Sequence, residues 1–337
     1  MKLGINTCFI MTFDFEEGLK FSADLGMNVA EVAVCGIAFN NKYCELDKLT
    51  SDEGELHRWQ DTYARHGIEV VSLAAHGAPL TPDKEIADEY RRQFRLACEF
   101  AEQIGVKKVT LIAGTPEGAE GDTCPVWITQ QVEVPFYRKV FEWQWEKRLI
   151  PYWKEQGKIA ADHGLTLCFE NQVGDMLHSP ALIKRFHEEL GPVAACNYDI
   201  SHIWAQGMDP IETLLYLGDL VQHIHIKDTL IHHHNLRIKG FTDSTYPTKP
   251  NDRSYTFTIP GWGHDEGVWR EVIATLRLIG YEDILSMEME CEYMDIKEGL
   301  EKGVAFLKPL VLETPAGKRW WQAAEFSELW KDAEGED

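Results

Sequence analysis

Four side chains able to ligate a metal ion or move a proton stand in four successive β-rich runs of the 337-residue chain. Glu170 ends TLCFE (166–170), Asp199 ends AACNYD (194–199), His225 lies in VQHIHIK (221–227) and Glu288 in DILSMEME (283–290). Delivered to one rim, two or three carboxylates and one imidazole form a hard, oxygen-rich site. Such a site suits Mn²⁺ first, then Mg²⁺ or Co²⁺, with Zn²⁺ less favoured. The matching chemistry is proton removal next to a carbonyl, where charge developing on oxygen must be neutralised in place. Glu170 and Glu288 are the candidates to accept and return the proton while also ligating the ion.

The two-residue period of a strand refines this choice. His223, His225 and Lys227 share one face of their run, next-but-one residues lying ~6.6 Å apart. One ion at the rim is reached by His225, nearer the strand end, more easily than by both histidines; His223 reads as an inner-barrel group. Ser286, Glu288 and Glu290 also share a face, so Glu290 stays open as the alternate to Glu288. A lone acid at a strand end often pairs only a loop amide, but four at matching ends make coincidence improbable. The run His232-His233-His234 resembles a metal tract, yet it falls in a loop, where a solvated or packing role is expected.

The elements that must position these residues follow from the hydrophobic pattern. Four further β-rich runs precede them, at 3–8, 29–34, 69–75 and 108–114, giving eight strands. Helical patterns fall near 15–25, 51–66, 84–104, 138–163, 179–190, 209–217, 265–280 and 297–308, with Thr50 and Glu53 at capping-box spacing. Every helix-to-strand transition carries a glycine: Gly26, Gly67, Gly105, Gly164, Gly191, Gly218 and Gly280. Two strand-to-helix connections are stretched, at 115–137 and 229–264, the second polar and without a clear anion nest. Eight strand–helix units in unbroken series predict an α/β fold, a (β/α)₈ TIM barrel over 1–312 with long loops after strands four and seven. Residues 313–337 form a C-terminal tail, whose Trp320, Trp321 and Trp330 need cover from the barrel or a neighbouring subunit. A homo-oligomer is therefore expected, with room for a second kind of subunit.

Composition excludes some partners. With 33 Lys+Arg against 55 Asp+Glu the formal charge is −22, which disfavours nucleic acid and an anionic membrane surface. No apolar stretch of ~18 residues and no cleavable leader pattern are present, so no membrane span is expected. The 8 cysteines are scattered without metal-type pairing, Cys8, Cys168 and Cys196 lying in apolar strand-like runs, as for a reducing cytoplasm.

Several segments resemble the sugar phosphate isomerase/epimerase family with its xylose-isomerase-like barrel. Residues 197–210, NYDISHIWAQGMDP, are similar to its N-x-D-x-S-H-x-x-x-Q-G-x-D-P signature. His76 and Gly77 resemble its histidine-glycine loop after strand three, residues 223–228 its H-x-H-x-K-D, Glu288 and Glu290 its paired glutamates, and Glu31 its strand-two glutamate. The likeness spans about residues 1–310. It implies one divalent metal ion held by Glu170, Asp199, His225 and Glu288, with His202 as a catalytic, substrate-binding or supporting group. His76, Lys227, Trp204 and Glu290 are substrate-binding candidates, Trp204 by stacking on a sugar face, with packing against the barrel as its equal alternative. The 229–264 insertion resembles that of members associated with sugar dehydrogenases of the glucose–fructose oxidoreductase type. One departure stands out: Glu170 is followed by Asn171-Gln172-Val173, where many relatives carry methionine, histidine and proline.

The expected function is thus a divalent-metal-dependent sugar isomerase or epimerase acting through an enediolate. The runner-up is a lyase that cleaves 3-oxo-glycosides, C-glycosides included, by elimination at the same metal site. An abasic-site endonuclease shares the barrel but needs a multi-zinc site facing DNA, and a non-catalytic subunit would not need all four strand-end ligands.

Overall fold

A computed structural model describes residues 1–35, 42–129, 134–246 and 249–317. Eight parallel strands close a barrel: β1 (Lys2–Asn6), β2 (Val29–Ala33), β3 (Glu69–Ala74), β4 (Lys108–Leu111), β5 (Thr166–Glu170), β6 (Ala194–Asp199), β7 (Val221–Ile226) and β10 (Ile284–Met287). Two more, β8 (Asp228–Ile231) and β9 (Tyr255–Thr258), pair antiparallel outside it. Around the barrel lie α1 (Phe15–Leu25), α2 (Leu46–Ser51), α3 (Glu53–Arg65), α4 (Lys84–Ile104), α5 (Pro135–Gln144), α6 (Ile150–Asp162), α7 (Pro180–Leu190), α8 (Ile200–Ala205), α9 (Pro210–Leu217), α10 (His233–Lys239), α11 (Glu266–Leu278) and α12 (Ile296–Leu307).

Helix ends explain the regular turns into the strands. Gly26 and Gly105 close α1 and α4 in the left-handed region, their N–H groups returning to the last turn of carbonyls. The other five predicted glycines also have positive φ. The predicted capping box is absent. Thr50 lies inside α2, and Asp52 caps α3 by accepting from the Glu55 N–H, because a carboxylate one residue before the helix reaches its free amides directly. The span expected as one helix at 138–163 is α5 and α6 joined through a π-turn at Trp145–Leu149. Cys8 lies past the end of β1, in a 3₁₀ turn over Thr7–Ile10 and not in a strand. Among the described residues no helix is long and apolar enough to cross a membrane. All eight cysteines are free thiols.

The core lies between barrel and helices. Phe169 of β5 meets Trp153 of α6 edge-on at 4.7 Å and Phe186 of α7 at 4.8 Å. Burying each such ring contributes roughly 1.5–3 kcal/mol. Inside the barrel the two-residue period sets polar side chains in levels. Register places Asn6 opposite Glu31, Glu170 opposite Asn197, Asp199 opposite His225, and His225 opposite Ser286.

The stretch 229–264, read as a polar loop, has structure of its own. β8 leaves β7 after a single residue, and β9 returns to pair with it, Thr229 facing Phe257. Asp228 anchors the return. Its Oδ2 accepts from the backbone N–H groups of Gly261, Gly263 and His264 at 3.0, 3.1 and 3.0 Å and from Trp269 Nε1 at 3.2 Å. Its Oδ1 accepts from Thr229 N and His264 Nδ1, each at 2.7 Å. An anion nest therefore does exist here, occupied by a side chain of the same chain. The loop after β4 is held to α5 by Gln144 Nε2, which donates to the carbonyls of Glu117 and Val126 at 3.1 and 2.7 Å. Of the tail, the described part is fastened by Arg277 to the carbonyls of Leu312 and Thr314. Trp320, Trp321 and Trp330 lie outside the described residues.

Candidate active site

Glu170, Asp199, His225 and Glu288 meet at the C-terminal ends of their strands, all buried. His225 is the centre. Its Nδ1 lies 3.3 Å from Glu170 Oε2, 3.2 Å from Glu288 Oε1 and 4.0 Å from Asp199 Oδ2. Its Nε2 faces Glu31 Oε2 at 3.1 Å. A carboxylate can only accept, so Nε2 carries a hydrogen toward Glu31; Nδ1 faces the three acids and is the nitrogen that would give up its proton to ligate an ion placed among them. Glu31 is itself fixed by Ser286 Oγ at 2.6 Å, by His223 Nε2 at 3.1 Å and by Thr110 Oγ1. His223 is thus a buried supporting group inside the barrel.

Glu170 is held from two sides. His76 Nε2 donates to Oε2 at 2.7 Å, and His202 Nε2 lies 3.2 Å from Oε1. Since His202 Nδ1 accepts from the Val173 N–H at 3.4 Å, the proton sits on Nε2, toward Glu170. Asn171 exchanges two bonds with the Asp199 backbone, at 2.8 and 2.9 Å, and so ties the ends of β5 and β6 together. Asp199 Oδ1 accepts from Ser201 N and Oγ at 2.8 and 2.6 Å. Its Oδ2 is buried without a hydrogen-bond partner, although Lys227 Nζ stands 3.1 Å away outside bonding geometry. Lys227 Nζ donates to Glu288 Oε2 at 2.8 Å and Glu290 Oε1 at 3.1 Å, while Asn6 Nδ2 donates to Glu288 Oε1 at 3.0 Å.

Charge in this cluster is strongly coupled. Burial works against the ionised form of Glu170, but His225, His202 and His76 outweigh it and hold the carboxyl well below the usual range. The same contest lowers Glu31, through His225 and His223, and Asp199, chiefly through Lys227. Glu288 goes the other way: burial raises it, and Glu170 and Glu290 add to that against His225 and Lys227. Burial disfavours the charged forms of His225 and Lys227, yet the carboxylates around them raise both. Even with both charged, they leave a surplus of carboxylates in a buried space.

These residues fit a divalent cation. Asp199 Oδ2, which lacks a hydrogen bond, His225 Nδ1 and two more carboxylates point to one place, and the imidazole is braced through its other nitrogen by a carboxylate, the usual support of a histidine ligand. Above them opens a cavity of about 370 Å³ lined by Glu170, His202, Lys227, Glu288, Glu290 and His76, together with Asn6, Cys8, Phe9, Gln172 and Phe257. Glu290, the alternate ligand, is half-exposed at the rim and pairs with Lys227.

Trp204 is not in this lining. It stacks on His264 at 3.8 Å and meets Trp269 edge-on at 5.4 Å, so of its two expected roles it takes packing and not sugar stacking. The reason is local: α8 follows β6 at once and directs Trp204 toward α11. Trp204→Phe is accordingly expected to leave the KM of any substrate within threefold and to cost about 1 kcal/mol, checked by steady-state kinetics and urea unfolding. Phe257 occupies the aromatic place instead, 4.8 Å from Lys227 Nζ and edge-on to His202 at 4.9 Å. Its signal was the run YTFT, a short β-type alternation inside the insertion. Asn6 was legible as the inward residue two places after Gly4 in β1.

A closed (β/α)₈ barrel with a buried, metal-competent cluster at its C-terminal rim defines the class of protein. The chain belongs to the xylose isomerase-like TIM barrel family, whose model matches residues 19–310. It is 30% identical over 313 residues to the uncharacterized protein YfiH of Bacillus subtilis, covering 92% of this chain and 99% of that one. It is 25% identical over 207 residues to an inosose dehydratase of Geobacillus thermodenitrificans, covering 60% and 64%. Among solved structures, the probable 3-DHS dehydratase AsbF of Bacillus anthracis superposes with a TM-score of 0.64 at 14% identity, covering 91% and 99%. A D-psicose 3-epimerase and a 3-keto-D-glucoside 4-epimerase share this fold, and one protein that shares it, IolI, was crystallised with a zinc atom.

Proposed function

We propose that the protein is a divalent-metal-dependent sugar isomerase or epimerase that works by proton abstraction next to a carbonyl. The observation that carries this reading is the convergence of Glu170, Asp199 and Glu288 on His225 Nδ1, with Asp199 Oδ2 left without a hydrogen bond. Those four residues would hold the ion. When bound, a divalent cation supplies polarisation of the substrate carbonyl and neutralises charge developing on its oxygen. Glu170, kept ionised and oriented by His76 and His202, takes the proton from the carbon beside the carbonyl. Glu288 returns a proton, giving the epimer from the opposite face or the aldose–ketose isomer at the neighbouring carbon. Lys227 binds a hydroxyl and holds Glu288 and Glu290 in place.

A second reading, elimination from a 3-oxo-sugar or 3-oxo-glycoside, is favoured by two relatives bearing dehydratase names. Abstraction is the same; the group β to the carbonyl then leaves with a proton. Solvent-deuterium exchange over free ketoses and 3-oxo-glycosides, with Mn²⁺ added, tests both. Label in recovered sugar supports the first, release of water or aglycone the second, and neither would sink both.

Metal dependence has its own test. Chelated protein titrated with Mn²⁺ to a hundredfold excess over Kd is expected to gain about 2.7 kcal/mol, a rise in melting midpoint of roughly 4 °C for a chain of this length. A midpoint unmoved by Mn²⁺, Mg²⁺, Co²⁺ and Zn²⁺ alike would remove the ion from the reading.

A further inference from the structure

Where a (β/α)₈ barrel binds a phosphate ester, it commonly does so with the loops after its seventh and eighth strands and a helix N-terminus there. In this chain each of those donor sets already holds an internal anion. The three N–H groups of Gly261, Gly263 and His264 converge on Asp228 Oδ2, a buried carboxylate that follows β7. The N-terminus of α11 is filled by Asp265, which accepts from Gly267 N and Val268 N, and that of α12 by Asp295, which accepts from Glu298 N.

The cavity offers no replacement. Among the described residues Lys227 is the only lysine or arginine in its lining, and Asp199, Glu288 and Glu290 surround it at 3.1, 2.8 and 3.1 Å. Counting Glu170 as well, four carboxyl groups stand against that ammonium and one divalent cation, so no positive charge is left over for a phosphate. Its insertion-derived wall is Phe257, brought by β9, whose ring lies 4.8 Å from Lys227 Nζ and edge-on to His202, and Phe9, which follows β1, adds a second ring to the lining.

From this arrangement we propose that the cavity takes an uncharged sugar, free or as an uncharged glycoside, and rejects sugar phosphates, with Phe257 as the surface against which the sugar's C–H face lies. The inference rests on the reading of the cavity as a sugar site. It is tested by binding, not turnover: tryptophan-fluorescence titration of the full chain with Mn²⁺, using free ketohexoses and methyl 3-oxo-glucosides, each beside its 6-phosphate. At least one uncharged probe is expected to saturate, with its phosphate ester at least tenfold weaker. Phe257→Ala should weaken the uncharged probe about tenfold or more, and Phe257→Leu, which keeps an apolar surface, less than threefold. A phosphate ester that binds as tightly as its parent, failure of every uncharged probe to bind, or unchanged binding in Phe257→Ala would overturn the proposal. Saturable binding without any deuterium exchange would sink the proposed reaction and leave this assignment standing.

Discussion

Replacing Glu170 by Gln is expected to lower deuterium exchange and kcat/KM by at least about 10²–10⁴-fold, because the group that takes the proton is lost. The substitution keeps size and hydrogen-bonding capacity, so a fall in rate cannot be assigned to a hole in the core. It does change the bonding logic. Glu170 accepts from His76 Nε2 at 2.7 Å and faces His202 Nε2 at 3.2 Å, and both partners point N–H groups at it. An amide satisfies one of them and turns its own NH₂ toward the other. Binding of Mn²⁺ should weaken in parallel, while far-ultraviolet circular dichroism stays unchanged. Retention of activity within tenfold would show that the proton goes elsewhere, with Glu288 the first alternative.

Asp228→Ala is expected to cost about 3–5 kcal/mol of stability, the range for stripping a buried charge from its partners. Six donors lose their acceptor at once: the N–H groups of Thr229, Gly261, Gly263 and His264, His264 Nδ1 and Trp269 Nε1. Thr229 N–H and Trp269 Nε1 gain water least easily, since Asp228, Thr229 and Trp269 are all fully buried. The loss should spread to the His264–Trp204 stack and to the position of β9, which carries Phe257. Denaturant unfolding measures the cost directly; a midpoint unchanged from the parent chain would show that the nest closes without its anion.

Much of the architecture is legible in the sequence, for a physical reason. A residue with positive φ at each helix end demands glycine, so seven glycines at barrel spacing announced seven transitions. Strand-end chemistry was legible because the two-residue period and the barrel rim together say where Glu170, Asp199, His225 and Glu288 must point. What could not be read depended on contacts between distant segments. Trp204 and Phe257 are both aromatic residues near the rim, and only the direction of α8 and the pairing of β8 with β9 decide which one faces the cavity. Asp228 stands in plain view in the H-x-H-x-K-D stretch, but all its partners except the Thr229 N–H lie more than thirty residues onward. Capping misled at Thr50 because three acids follow within five residues and Asp52 competes for the same amides.

The closure of the barrel carries a consequence for how the molecule comes into being. β1 pairs with β10, and Asn6 of the first strand donates to Glu288 just beyond the last, 282 positions later in the chain. During synthesis the first strand waits, one edge unpaired, until nearly all the rest has emerged. Contacts of such sequence separation are slow to form, since loop-closure entropy is spent before they reward it. Glu288 therefore acquires its Asn6 partner only when the ring is shut. A nascent or truncated chain lacking β10 would present Glu170, Asp199 and His225 without their fourth member, and full metal binding would report the completion of folding.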